Sequence, residues 1–149
     1  VVLEVINEAP HKVLVFVPFT HTINLLKDFL DTNKISSEII SGKVTLNSRT
    51  RIFDDFQKKA DPRVLIIQPQ AASHGLTLTA ADTIVWYSPV TSVETYLQAN
   101  ARINRPGQKH SMTIVHIKGS EVEDRIYTML KANVLNHNKI VDLYRQEIE

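Results

Sequence analysis

Apolar residues along this 149-residue chain gather into five short, largely β-branched runs: Val13–Val17, Ser36–Ile40, Val64–Ile67, Thr83–Tyr87 and Thr113–Ile117. Several are nearly continuous in apolar character, as strands covered on both faces are. Between them the pattern takes a helical period, over Thr20–Asn33, Asn47–Lys59, Ser92–Arg105 and Ser120–Gln146, with Val1–Ala9 as an entering helix. Thr20 and Ser92 fall where N-caps are expected, and Asp61-Pro62 marks the turn before the third strand. Alternation of strand and helix predicts an α/β fold, a mostly parallel sheet flanked by helices on both faces. The last helix carries an apolar stripe, Val122, Ile126, Met129, Leu130, Val134, Ile140, Val141 and Tyr144, expected to pack over the body. Ligands of such sheets sit beyond the carboxyl ends of the strands. That directs attention to Pro18–Thr20, Ser41–Val44, Gln68–Gly75, Ser88–Ser92 and the segment after Ile117.

Composition narrows the classes. The length suits one domain over 1–149 with a real core. A net charge of +1 gives no global basic field, so any nucleic-acid contact must come from a local patch. The absence of cysteine removes disulfides, thiolate catalysis and Cys-ligated zinc, and fits a reducing compartment. No apolar run approaches the ~20 residues that span a bilayer, and no basic-then-apolar leader opens the chain. A cytoplasmic location, with no membrane partner, is expected. Val1 begins inside structure-like sequence, which suggests a piece excised from a longer chain.

The four glycines, Gly42, Gly75, Gly107 and Gly119, fit neither G-x-G-x-x-G nor G-x-x-x-x-G-K-[ST]. The chain therefore has no dinucleotide fingerprint and no phosphate-cradling loop of its own, and G-x-S-x-G is missing for the same reason. The six histidines show no metal-ligand spacing, so no metal site is expected on this chain. A self-contained nucleotide enzyme or hydrolase is disfavoured.

The stretch "YLQANARINRPGQ", residues 96–108, carries the strongest positive signal. On a helix, Gln98, Arg102 and Arg105 stand at i, i+4 and i+7 and share an arc of about 60°. Tyr96, Ala99 and Ile103 fall on another side and can face the sheet. Pro106 disfavours the helical conformation at Arg105, and Gly107 lets the chain turn. Guanidinium forks match phosphate oxygens and stay charged, which suits charge developing on a transferring phosphoryl group. A solvated cationic helix face is the alternative by spacing alone.

"QANARINRPGQ" resembles motif VI, Q-x-x-x-R-x-x-R-x-G-Q, of Snf2-like superfamily 2 helicase ATPases. "VLIIQPQAASHGLTLTAADTIVWYSP" resembles motif V and the strand after it. "KVLVFVPFTHTINLLKDFL" is similar to motif IV, and "SGKVTLNSRTRIFDDFQ" to the stretch that follows. The match runs in order over about residues 12–118, and "RINRPGQ" in so compact a lobe looks most like phage or bacterial members. The chain departs from the pattern at Ala71, Ala72, Ser73 and His74 before Gly75, at Ser88, and at Ala101.

The resemblance implies a RecA-like three-layer sandwich, the second of two lobes that clamp ATP. ATP and Mg2+ would be bound mainly by the first lobe, with its phosphate loop and Asp-Glu pair. Arg102 and Arg105 would reach across as catalytic arginine fingers, Gln98 would support the same edge, and Gly75 would give the motif V loop a close backbone approach to nucleotide or DNA phosphate. Thr20, Gln70, Ser73 and Thr91 are candidate donors to a nucleic-acid backbone, although each also reads as a cap or turn residue. Lys43 and Arg49 could add phosphate attraction, with a structural role open for Arg49. Trp86 and Tyr87 read as core. The implied partners are DNA, as sequence-independent duplex, and the N-terminal lobe of the same protein. The implied activity is ATP hydrolysis coupled to movement on DNA, for which this chain alone is expected to be inactive. A non-catalytic nucleic-acid or protein-interaction module of the same fold is the second reading. A Rossmann-type enzyme fits the alternation but lacks the cofactor loop.

Overall fold

The computed structural model describes residues 1–72, 77–103 and 107–148, with 135–148 given by their helical backbone. Helix α1 (Val2–Glu8) leads into strand β1 (Lys12–Phe16), then α2 (Thr20–Thr32), β2 (Ser37–Ile40), α3 (Leu46–Lys58) and β3 (Val64–Ile67). A 3-10 turn at Pro69–Ala72 precedes β4 (Ala81–Trp86), α4 (Val93–Asn100), β5 (Thr113–His116) and α5 (Glu121–Ile148). The five strands form one sheet in the order β2-β3-β1-β4-β5, and every pairing is parallel.

The central strands are apolar because both of their faces are covered, whereas β2 exposes Glu38 and β5 exposes Thr113 and Ile114 at the sheet edges. Successive side chains alternate across a strand, so β1 divides its residues between two cores. Val13 and Val15 join Ile23, Leu26 and Leu30 of α2 and Ile6 of α1 on one face. Leu14 and Phe16 join Phe56 of α3, Tyr96 and Ala99 of α4, and Leu130 of α5 on the other. The α/β sandwich expected from the hydrophobic pattern is the fold observed.

One expected cap changes and one holds. Thr20 is the first residue of α2, and Phe19 is the N-cap, with no side-chain cap bond. Ser92 does cap α4, its hydroxyl accepting from Thr95 N at 3.2 Å. Among the described side chains of α5, Tyr127 and Leu130 are buried, with Ile126 and Val134 packed against the core. Val122 and Met129 of the expected stripe are exposed. The side chains of Ile140, Val141 and Tyr144 lie outside the described residues.

Candidate functional site

Because the sheet is parallel, the loops after β1, β3 and β4 emerge at one edge. There a groove of about 290 Å³ is lined by Phe19, Gln70, Thr91, Ser92 and Thr95, among others. The structure thus brings together Gln70 and Thr91, two residues singled out for backbone contact, and both are exposed. Thr20, also exposed, adjoins the groove through its neighbour Phe19. Lys43 lies exposed on the loop after β2, at the same edge but on the far side of β3. Arg49 is a clamp for that loop: its Nη2 donates to the Ser41 carbonyl at 2.7 Å. Ser73, His74 and Gly75 lie outside the described residues.

The arginine stretch is built differently from the expected helix. α4 ends at Asn100, short of the predicted Arg105. Arg102 N turns tightly onto the Ala99 carbonyl at 3.1 Å, and Arg102 Nε donates to the Gln98 carbonyl at 2.7 Å. A side chain satisfying one of the last carbonyls is a common way to finish a helix. Arg102 is only 4% exposed, so it does not stand on a solvated cationic face. The Gln98 amide reaches Glu94 Oε1 at 3.2 Å. Gln98 and Arg102 are thus joined through a backbone carbonyl, not aligned in parallel on one helical edge. Tyr96, Ala99 and Ile103 are buried against the sheet, as their spacing predicts. Arg105 and Pro106 lie outside the described residues.

The groove and the arginine turn occupy opposite ends of α4, whose eight residues span ~12 Å. Arg102 therefore lies away from the groove formed by the carboxyl-end loops. The two ends of the connection from β3 to β4 are both tied down. At one end Gln68 N donates to the Ile40 carbonyl, and at the other Leu78 N donates to the Arg102 carbonyl, both at 2.9 Å. Gln57 of α3 holds the same far end, accepting from Ala80 N at 2.7 Å and donating to Thr79 Oγ1 at 3.2 Å.

An aromatic stack fixes α4 to the sheet; sequence reasoning placed Trp86 in the core and Tyr96 toward the sheet, and missed His116 and Tyr127. Trp86, fully buried, tilts against Phe16 and Tyr96, and its indole Nε1 donates to Asn100 Oδ1 at 2.9 Å. The Tyr96 hydroxyl lies 2.7 Å from His116 Nε2, and His116 stacks on Tyr127 at 4.3 Å. Burial, with Lys131 and Lys118 nearby, lowers the His116 pKa to about 4. Burial likewise pushes the Tyr127 hydroxyl up. The available signal was strand register: Trp86 and His116 end neighbouring strands and pair directly.

Among the described residues, no group of three His, Cys, Asp or Glu side chains is placed to hold a metal ion. Among the same residues, no helix is long and apolar enough to cross a membrane.

The model of the helicase conserved C-terminal domain matches residues 1–107. The chain is 31% identical over 127 residues to the chromatin-remodeling ATPase INO80 of Arabidopsis thaliana, covering 85% of this chain. It is 31% identical over 142 residues, 93% of the chain, to chromodomain-helicase-DNA-binding protein 3 homolog of Caenorhabditis elegans. It spans only 8% of the length of each of these proteins. Among solved structures, the C-terminal part of the Fun30 ATPase domain superposes with a TM-score of 0.76 at 24% identity, covering 85% of this chain and 40% of that one. The C-terminal domain of the DEAD-box protein Dbp5 superposes at 0.70 with 22% identity, covering 83% of this chain and 70% of that one, and both structures speak to the fold alone. The chain therefore belongs to the helicase conserved C-terminal domain family.

Proposed function

We propose that this chain is the second lobe of an ATP-dependent Snf2-like DNA helicase or translocase. It closes on a first lobe that holds ATP and Mg2+, and it supplies positive charge to the terminal phosphate while gripping the DNA backbone. The observation that carries this reading is the Leu78–Arg102 backbone bond, which ties the end of the motif V connection to the arginine turn. The other end of that connection, at Gln70, borders the groove.

Charge builds on the phosphoryl oxygens as ATP is cleaved, and permanently charged guanidiniums placed there stabilise it. Arg105 and Arg102 take this role, Gln98 supports their edge, and Gly75 gives a close backbone approach. Arg102 Nε is held by the Gln98 carbonyl, and lobe closure brings the facing phosphate to its guanidinium. Gln70 and Thr91 contact DNA phosphates from the groove, with Thr20 beside it and Lys43 on the loop after β2; Ser73 is given the same role from its place in the sequence, and such contacts fix position without reading sequence. Magnesium is assigned to the facing lobe. The isolated chain is expected to lack ATPase activity and to bind DNA weakly. A phage or bacterial type, acting in the cytoplasm, rests on the "RINRPGQ" stretch and the compact lobe; the relatives named above are eukaryotic.

The test is ATP turnover by the complete two-lobe protein. Arg102→Ala and Arg105→Ala should each abolish hydrolysis while ATP binding partly survives; normal turnover in both removes the assigned role. The burial of Arg102 is the one observation that favours a non-catalytic interaction module. Unchanged turnover with weakened partner binding would support that second reading.

A further inference from the structure

We infer that Gln108 is the positioning residue of the arginine turn, its carboxamide bolting the turn to the first residue of β4. This rests on the catalytic reading of the turn given above. Gln108 Nε2 donates to the Ala81 carbonyl at 2.9 Å and to the Ile103 carbonyl at 3.0 Å, and its Oε1 accepts from His110 N at 3.3 Å. Ala81 and Ile103 are both buried, so the amide joins a fixed strand to the residue following Arg102. The Arg102 carbonyl is itself taken by Leu78 N. Two successive carbonyls of the turn are thus fastened to β4 or its lead-in.

The chemistry requires a primary amide of this length. It offers two N–H donors and an oxygen acceptor in one plane. Glutamate would set a carboxylate against two carbonyls, and asparagine is one methylene shorter. Gly107, with φ of +97°, makes the turn that brings residue 108 back beneath Ile103, in a backbone region that side-chain-bearing residues rarely adopt. Just beyond, the His110 ring stacks on His11 at 3.7 Å, and His11 Nδ1 lies 2.7 Å from Oδ2 of Asp82 in β4. The chain after the turn is therefore held to β4 a second time. In sequence, Arg105 falls between the anchored positions Ile103 and Gln108.

The experiment uses the complete two-lobe ATPase with Gln108→Met, which keeps the length and loses both donors, and Gln108→Lys, which restores donors without the acceptor. Arg105→Ala runs alongside. Gln108→Met should lower kcat roughly 10- to 100-fold, as a misplaced transition-state contact does, and weaken binding of ADP with aluminium fluoride in parallel. KM for ATP and DNA affinity should stay within about twofold, because only transition-state contact is lost. Gln108→Lys should recover part of kcat. A Gln108→Met enzyme at wild-type kcat beside an inactive Arg105→Ala overturns the inference while the proposed function stands. Equal losses of kcat, ATP affinity and DNA affinity in both Gln108 variants also overturn it, since that marks a folding role. Should Gln108→Met fail to fold, the kcat-to-KM split in Gln108→Lys decides. Normal turnover in Arg105→Ala overturns the catalytic reading beneath both.

Discussion

The backbone N–H of Leu78 donates to the carbonyl of Arg102 at 2.9 Å, joining the lead-in of β4 to the turn that ends α4. The Leu78 side chain is fully buried in the core shared by α3, α4 and α5. Backbone bond and buried side chain together make this residue an anchor for the turn.

Leu78→Ala should therefore destabilise the protein by about 2–5 kcal/mol, the range for a buried leucine that leaves a cavity. Urea unfolding measures it. A loss of only a few tenths of a kcal/mol, typical of surface sites, would mean that the anchor is not at Leu78.

His116 makes stability depend on pH. Its folded pKa is lowered from 6.5 to about 4, first by burial and then by Lys131 and Lys118. Between these values the unfolded chain binds the extra proton. The contribution is thus fully present above about pH 6.5 and is lost as pH falls toward 4. Partial exposure limits it to about 1–2 kcal/mol. In His116→Phe the difference in melting temperature between pH 7 and pH 4.5 should shrink. An unaltered difference would place the proton uptake elsewhere.

Contacts to phosphates alone predict binding that weakens with salt and does not depend on sequence. In the complete protein, Lys43→Ala should reduce the log–log salt slope of duplex binding by about one and weaken all sequences alike. Fluorescence anisotropy across a salt series checks this. A slope unchanged by the substitution removes Lys43 from the interface.

The fold was largely legible because strand burial leaves a simple mark. Val64–Ile67 is a continuous apolar run since it lies between β1 and β2 with helices on both faces. Helix ends were less legible. Arg102 continues a helical pattern in sequence, yet its guanidine folds onto the Gln98 carbonyl and Leu78 claims its own, so α4 stops early. The bond from Leu78 is tertiary and leaves no local signal. The same holds for His116, whose partners Tyr96 and Tyr127 come from two separate helices. That Gln70 and Thr91 share a groove was legible because both follow strands in a parallel sheet, where topology alone brings loops to one edge. Gln108 was quoted within the motif but given no role, because its acceptors lie 27 and five residues away in sequence.

The most direct measurement is a structure of the complete protein, closed on ADP and aluminium fluoride with DNA bound. The account predicts the guanidiniums of Arg105 and Arg102 within hydrogen-bonding distance of the fluoride group that stands for the terminal phosphate, about 2.7–3.0 Å. Both guanidiniums turned away from that group in the closed state would contradict it.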